Sequence, residues 1–585
     1  MLKFKHLIYL YLSKININIY SNFTNNPKFN NIFFNDYKYT FKFKRNFNRN
    51  NIFDIGDKNK IIVKIDHKFN ENIIFGLSLS KKQGEKFIFD NKTKRYYFNH
   101  YSYFLNIKNL YFHNILINNI VLGNFKVGYG QGLVFNYIDN FIRKPINSTK
   151  IFKKQYGLIN SKSLKDNIFK GIGINFNIKN VDIAIFGSFK RINAFIYNNK
   201  VLSAKIIKNE KYNTLNNLKK KDKLKQYSFG YGINYIYNTF SIGSCFVFTK
   251  FNKYFDLLNN DDFNNNFKQL DNLFKSNRHY NFSFFSNIKH NICKFYIEYA
   301  HSLNPYKDNN NYGFGLLTCF KISFFKFFKY YFLLRDYSKK YHNFYGNSYG
   351  IKKGTVYNKL KGTTNNEIGF NNVFKFIFNN NNILKLCSDI VLLPYQTFYF
   401  SKGFNKYFII DFSHKISFFE SLNIQCKFNI EKYYIYSKIK EFYKVNNNIC
   451  RSKIYLKNNI TKKFLTKNNI FLTLNFTKHI TKKDIGFAIY EKLCYKNKCL
   501  NIVFLLLYSY CSKNTKIYIN RYEFDDKTFK FMEINNHLIQ TGTNLSIKFY
   551  NKIILKGYYI FQYDIRKIRK TQFKNIIYMS INFFS

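Results

Sequence analysis

The sequence predicts an all-β chain: one large antiparallel transmembrane β-barrel of roughly 20 to 26 strands, with short turns on one side and long loops on the other. Three observations lead there. Runs of about ten residues alternate apolar and polar positions, break at Asn, Asp, Gly or Lys, and begin again, which is the period of a pleated strand with two unlike faces. Aromatics make up 21% of the chain, Ile is abundant and Ala is sparse, a balance that favours strands over helices. No window holds the roughly 18 to 20 uninterrupted apolar residues that a membrane helix requires. The longest apolar run, Ile502 to Tyr510, falls well short, and Phe324 to Leu334 is broken by Lys326 and Lys329.

Taken in order, residues 1–36 read as a degraded export signal with an Asn-rich leader, and residues 37–585 as a single barrel domain. The start, Met1-Leu2-Lys3-Phe4-Lys5-His6 and then Leu7 to Leu12, has the basic opening and short apolar run of a secretory signal without a small-residue cleavage site. Tyr37 to Phe43 alternates, and from Ile61 the pattern becomes regular. Ile61, Val63 and Ile65 turn at Asn70 to Asn72 into Phe75, Leu77 and Leu79. Ile172 to Ile178 turns at Lys179-Asn180 into Val181, Ile183 and Ile185.

Phe229, Tyr231, Ile233, Tyr235 and Tyr237 share one face, with Ser228, Gly230, Gly232 and Asn234 on the other, and Asn238-Thr239 leads into Phe240 to Phe248. An aromatic face against a small polar face suits lipid on one side and a polar, crowded lumen on the other. Leu545 to Phe549 and Ile553 to Tyr563 form another hairpin. The last strand places Phe573, Ile577, Met579, Ile581 and Phe583 on one face, and its final aromatic, Phe584, is displaced by Ser585. Long polar segments are expected to be loops: 143–167, 209–226, 250–278 and 304–312. No linker rich in Pro, Gly or Ser divides the chain.

Within this pattern Val121 to Phe135, VLGNFKVGYGQGLVF, stands out. Alternation runs through Val121, Gly123, Phe125, Val127 and Tyr129, then breaks at Gly130-Gln131-Gly132. Glycine inside a strand marks a bulge, a bend or a close packing contact. A phosphate-cradling loop would need a helix opening after the glycines and an acidic residue further on. Leu133 to Tyr137 opens no amphipathic helix, so a bent strand is the reading.

The charge of +62 comes from 94 Lys+Arg against 32 Asp+Glu. Lysine is spread over nearly every loop instead of forming a stripe, as it would in a nucleic-acid binder; with so much Asn, Ile, Phe and Tyr and no Trp, it reads as the drift of an AT-rich genome. The nine cysteines and eleven histidines show no paired metal-ligand spacing, although Cys494 and Cys499 are close enough for a loop disulfide. No nucleophile elbow or P-loop occurs. No enzyme, cofactor or metal is therefore expected. Acidic residues are few, so Glu85, Asp139, Glu298, Glu367 and Asp389 draw notice as candidate lumen ion pairs with Lys or Arg.

Several blocks resemble the barrel region of the Bacteroidetes helix-hairpin-helix domain-containing proteins. They are Gly76 to Phe87 (GLSLSKKQGEKF), Val121 to Val134, Ser163 to Gly171 (SLKDNIFKG), Arg335 to Tyr349, Asn365 to Phe370 (NNEIGF) and Asp389 to Tyr395 (DIVLLPY). The resemblance covers about residue 40 to beyond 400, without a counterpart of the helix-hairpin-helix part. It implies an outer-membrane barrel and marks Gly123, Gly130, Gln131, Gly132, Glu85, Arg335 and Glu367 as motif residues with no defined role. The functional expectation is a pore or transport component with a polar, Lys-lined lumen, in contact with outer-membrane lipid and with small polar or anionic solutes. A membrane-anchored assembly protein and a DNA-uptake protein, which would bind nucleic acid, are the alternatives.

Overall fold

The computed structural model describes residues 36–46, 59–81, 98, 100–136, 157–162, 168–197, 199–204, 220, 222–255, 274, 276–306, 309–325, 327–346, 348–350, 365–378, 382–395, 403–414, 416–418, 422–436, 444–459, 464–477, 484–497, 499–511, 517–522, 529–534, 538–549, 553–564 and 573–584. Among these every regular element is a strand. The expected leader lies outside the described residues.

One antiparallel sheet of 26 strands closes on itself. The closing seam joins the first described strand, Asp36–Asn46, to the last, Phe573–Phe584, with Thr40 opposite Asn582 and Lys44 opposite Tyr578. Every other neighbour in the wall follows in chain order. Two short strands, Leu158–Asn160 and Ile416–Phe418, only extend a neighbour's edge, which leaves 24 staves, an even number within the expected range. Hairpins in the long connections form two separate pairs, Ala194–Tyr197 with Lys200–Ala204 and Ile517–Tyr522 with Phe529–Ile534.

The two faces sort by chemistry as the alternation predicts. In Leu224–Tyr237 the side chains of Gln226, Ser228 and Asn234 are buried toward the lumen, while Tyr227, Phe229, Ile233 and Tyr235 stand exposed on the outside. On Leu500–Cys511 the outward set is Phe504, Leu506, Tyr508 and Tyr510 and the inward set is Val503, Leu505, Leu507 and Ser509. In hydrocarbon an unpaired backbone group costs several kcal/mol, so a closed ladder with an apolar exterior is the one form that an all-strand chain can take there.

The expected hairpin turns are present. Ile178 faces Val181 and Tyr237 faces Phe240 across two-residue turns, the first residue of each, Lys179 (φ 50°) and Asn238 (φ 47°), taking the left-handed conformation. At the first of these turns it is Lys179, not Asn180, that takes it. One expected loop is corrected. Residues 304–312 are mostly strand, because Asn304 pairs with Asn311 and Pro305 with Asn310 in a ladder that carries Cys293–Tyr306 into Asn309–Phe324. Asparagine runs read as loops by composition, yet here the neighbouring strand satisfies their backbone, and the buried Asn304 meets the His279 ring through Oδ1. A second correction concerns Cys494 and Cys499, which are free thiols, one in the strand Asp484–Lys496 and the other in the turn after it.

Substituting Leu506 by Arg places a charge mid-strand on the outward face. A loss of about 2–4 kcal/mol is expected in urea unfolding from lipid vesicles, and an unchanged midpoint would show that this face does not meet lipid.

Candidate functional site

The strand Ile115–Val127 leaves the regular pattern at Gly123, where φ is +102° and an added Cβ would lie 2.3 Å from the Tyr103 carbonyl oxygen. The pairing with His100–Phe112 starts at this glycine, which still faces Gly171 in regular register, and the strand's bulge lies between Ile117 and Asn119. Asn124 beyond it is buried and donates to Ser102 Oγ at 2.9 Å. The wall strand then ends at Val127, and Gly128 to Asn136 turns inward, every residue of it buried.

This inward segment is held by a carboxylate. Glu298, on Cys293–Tyr306 and fully buried, accepts Gln131 N–H at 2.5 Å and Leu133 N–H at 3.1 Å on Oε2, while Ser283 donates to Oε1 at 2.9 Å. Gly130 sits at φ +61° with its α-carbon against that carboxyl group, and a Cβ there would come within 2.7 Å of it. The Gln131 amide donates to Asn287 Oδ1 at 3.2 Å, and Tyr129 reaches Asp182 Oδ1 at 2.6 Å. The ring of Tyr129 lies over Gly232, where any Cβ would approach it to 2.4 Å. That contact is why position 232 is glycine, while Gly230 on the same face lies against Phe186.

A second inward segment, in the connection between Phe328–Tyr337 and Glu367–Ile377, packs on the first. Tyr341 donates its hydroxyl to Leu133 O at 3.1 Å, and Asn343 donates to Leu133 O and to Val134 O, the latter at 3.1 Å. Asn343 Oδ1 in turn accepts Tyr345 N–H at 2.8 Å and Gly346 N–H at 3.0 Å, a local turn built by one side chain. The Tyr345 hydroxyl meets Ser228 at 2.6 Å, Thr249 at 3.2 Å and the Gln226 amide on the wall. Its ring stacks on Phe169 at 4.4 Å, which lies 4.5 Å from Phe186. The lumen of this arc is thus filled, with an aromatic centre inside a polar wall.

At the far side of the arc lies a charged knot. Arg335 Nε donates to Glu367 Oε1 at 2.6 Å and Nη1 to Asp389 Oδ1 at 2.9 Å, all three side chains having no solvent exposure. Tyr349 from the second inward segment donates to Asp389 Oδ2 at 2.8 Å and lays its ring 4.9 Å from the guanidinium carbon. Tyr337 donates to Tyr349 O at 2.6 Å. Two carboxylates share one guanidinium, so the fork geometry of Arg, not a point charge, is what this knot requires.

Of the motif residues, Gly130 and Gln131 therefore meet Glu298, Gly132 packs on Asn136, and Arg335 meets Glu367. Gly123 stays in the wall, and Glu85 and Asp139 lie outside the described residues. Glu298 and Asp389, noticed in the sequence only as scarce acids, are the two partners that tie the inward segments down. Tyr345, Tyr349 and Asn343 lie inside the block Arg335 to Tyr349, with nothing to single them out among many Tyr and Asn residues. Among the described residues no group of three His, Cys, Asp or Glu side chains is placed to hold a metal ion. What the arrangement does chemically is latch two chain segments inside a barrel.

No family model and no curated protein matches the sequence. Among solved structures, the chain is similar to the siderophore receptor PirA from Acinetobacter baumannii, with 9% identity over 94% of this chain and 81% of that one and a TM-score of 0.42. It is similar also to the translocation pore of the P pilus usher PapC, at 7% identity, 94% and 99% coverage and a TM-score of 0.35. A BenF-like porin from Pseudomonas fluorescens shares 7% identity over 69% of this chain and 98% of its own, with a TM-score of 0.29. At such identities no site residue carries over from any of them.

Replacing Arg335 by Met leaves Glu367 and Asp389 buried with their cation gone, and is expected to cost about 3–5 kcal/mol in unfolding. The triple variant R335M/E367Q/D389N should recover much of that loss; equal stability of wild type and R335M would remove the knot's role. Burial pushes the Tyr345 hydroxyl up from 10.0 to about 12, against the hydrogen bonds from Ser228, Thr249 and Gln226 that lower it. Since the neutral phenol is favoured in the folded state, its contribution is complete below pH 10 and is lost as pH rises from about 10 to about 12. Limited proteolysis of the 338–350 segment should show an alkaline onset in wild type that is absent from Tyr345→Phe.

Proposed function

We propose that this chain is an outer-membrane protein whose barrel serves as a pore or transport component for small polar solutes. The observation that carries the reading is the closed 24-stave wall with an aromatic exterior and a polar interior, narrowed along one arc by the segments 128–136 and 338–350. The remaining lumen is the path, and the latched segments set its width. Near the closing seam Lys81 donates to Asn59 O and Lys162 pairs with Asp66, and Lys294, Lys329 and Lys375 lie close enough to Lys321 to act on it on the far side of the barrel. The filled arc is lined by Ser, Asn, Gln and Thr together with buried Asp182, Glu298, Arg335, Glu367 and Asp389, and Lys190 lies over the Tyr345 ring within it.

The blocks that resemble the helix-hairpin-helix barrel family supply Gln131, Arg335, Tyr349, Glu367 and Asp389 to one connected lumen network. That convergence supports membership of the family and a Bacteroidetes source. A second reading, a barrel that only anchors outer loops in an assembly, is favoured by the density of packing around Phe169 and Tyr345.

Conductance separates the two. Protein refolded into lipid should run as a heat-modifiable, sheet-rich band and give discrete current steps in planar bilayers, with R335M giving larger or noisier steps as the second segment loosens. Folded protein that never conducts, wild type or variant, would sink the pore and leave the anchor. Salt-dependent retention of DNA would move the DNA-uptake reading forward.

A further inference from the structure

Near the short-turn end, on the side of the barrel away from the seam, the inner face of the wall carries a band of lysines. Lys294 shares its face of Cys293–Tyr306 with the buried Tyr296 and Glu298, and Lys321 shares its face of Asn309–Phe324 with Leu317 and Cys319. Lys329 alternates in step with Leu333 and Arg335, and Lys375 with Asn371 and Val373, so all four belong to the lumen side. Register sets them side by side. Lys294 is directly opposite Lys321, and Lys321 is opposite Tyr331. Two residues nearer the turn than Tyr331, Lys329 is directly opposite Lys375. Four adjacent strands thus bring one lysine each to a band that spans roughly 14 Å of wall at the spacing of neighbouring strands.

The charges of the band act on one another. Lys321 feels Lys294, Lys329 and Lys375, and Lys375 feels Lys329 and Lys385, which is opposite it on the next strand. Like charges directly opposite each other destabilise a sheet. Codon drift adds lysine cheaply where water surrounds it, but here two opposed pairs stand half-buried on one inner face. Lys321 Nζ makes one contact that eases this, 5.6 Å from the centre of the Tyr331 ring. Above the band Tyr331, Val373 and Cys387 form a buried apolar group, and beyond it lies the Arg335 knot. Asp389 of that knot is four residues past the partner of Lys375, roughly 13 Å at the rise of a strand. Its charge is already shared with Arg335. The apolar group is a low-dielectric floor that directs the field of the lysines into the lumen.

We propose that this band binds a small multivalent anion, one that carries three or more charges in line. Such an anion reaches both rows and offsets four like charges together, whereas a monovalent ion meets one lysine or two. Lysine binds as a point charge, without the fork that fits a planar carboxylate, so the site selects by number of charges. Because the band faces the lumen, lipid headgroups around the outer wall do not reach it. As the origin of solute choice in a pore the band rests on the function proposed above, whereas binding requires only the folded barrel.

The test is isothermal titration of tripolyphosphate into the full chain folded in detergent, at constant ionic strength. One saturable site is expected, with acetate failing to compete. The variant K329Q/K375Q should weaken it at least about tenfold, because two charges at contact range are removed. K329R/K375R should retain it, and K223Q/K225Q, an equal loss of charge at exposed positions elsewhere, should leave it unchanged. In urea unfolding, tripolyphosphate should raise the midpoint of the wild type and not that of K329Q/K375Q, which without ligand should be at least as stable as the wild type, its opposed charges being gone. Heat-modifiable mobility checks that each barrel has formed, and K375Q alone serves if the double variant does not fold. Titration with citrate sorts the two sources of such charge: equal affinity supports selection by charge number, and tighter binding of one of them assigns the band to phosphates or to carboxylates. Non-saturable uptake, or equal weakening by K223Q/K225Q, would overturn the site in favour of general attraction to a cationic chain. A ligand-free K329Q/K375Q less stable than the wild type, with affinity unchanged, would overturn it in favour of a structural role for the lysines. Saturable binding without conductance would keep the site and sink only the pore.

Discussion

Everything in this structure depends on closure. A strand presents a donor or an acceptor to each side at every residue, and in a lipid interior there is no water to meet those that lack a neighbour. The chain answers with one sheet whose first and last described strands pair over nine positions, from Lys38 with Phe584 to Asn46 with Ile576. Because closure consumes the edges, the wall has no site at which a second copy could add a strand. It also places both ends of the described barrel on the short-turn side and leaves the long connections, where two extra hairpins form, on the other.

A closed wall this large encloses more space than its own inward side chains can fill, and the inner face is made smaller still by Gly and Ser. The space is taken by chain borrowed from two connections. Their backbone would be stranded without water, and it is satisfied by specific side chains: Glu298 for the amides at 131 and 133, Asn343 for the carbonyls at 133 and 134. Buried polar networks are stable only when nearly complete, because each unmatched partner carries its full desolvation cost. The Arg335 knot follows the same logic with charge. Its two carboxylates and one guanidinium are worth little as isolated attraction but are costly to break singly, which makes it a latch instead of a source of bulk stability.

The opposite side of the interior is built differently. Around Lys496, Lys548 and Lys556 the wall lines a cavity of about 370 Å³ instead.

How much of this was legible follows from what each level of structure needs. Alternation is a local property, so the hairpins at Lys179-Asn180, Asn238-Thr239 and residues 550–552 and the sorting of Phe229 from Ser228 could be read directly. The loop expected at 304–312 failed because composition alone does not separate a solvated strand from a loop. Glycine at 123 and 130 announced a bend, and the scarcity of acids singled out Glu298, Glu367 and Asp389. Sequence by itself determined the fold class, the approximate number of strands and the two faces, because these rest on period and side-chain polarity. Only the tertiary structure decided that the segment after Val127 leaves the wall and that the amide of Gln131 is bound by Glu298, 167 positions away. Those depend on register and closure around the whole ring, which no local pattern encodes.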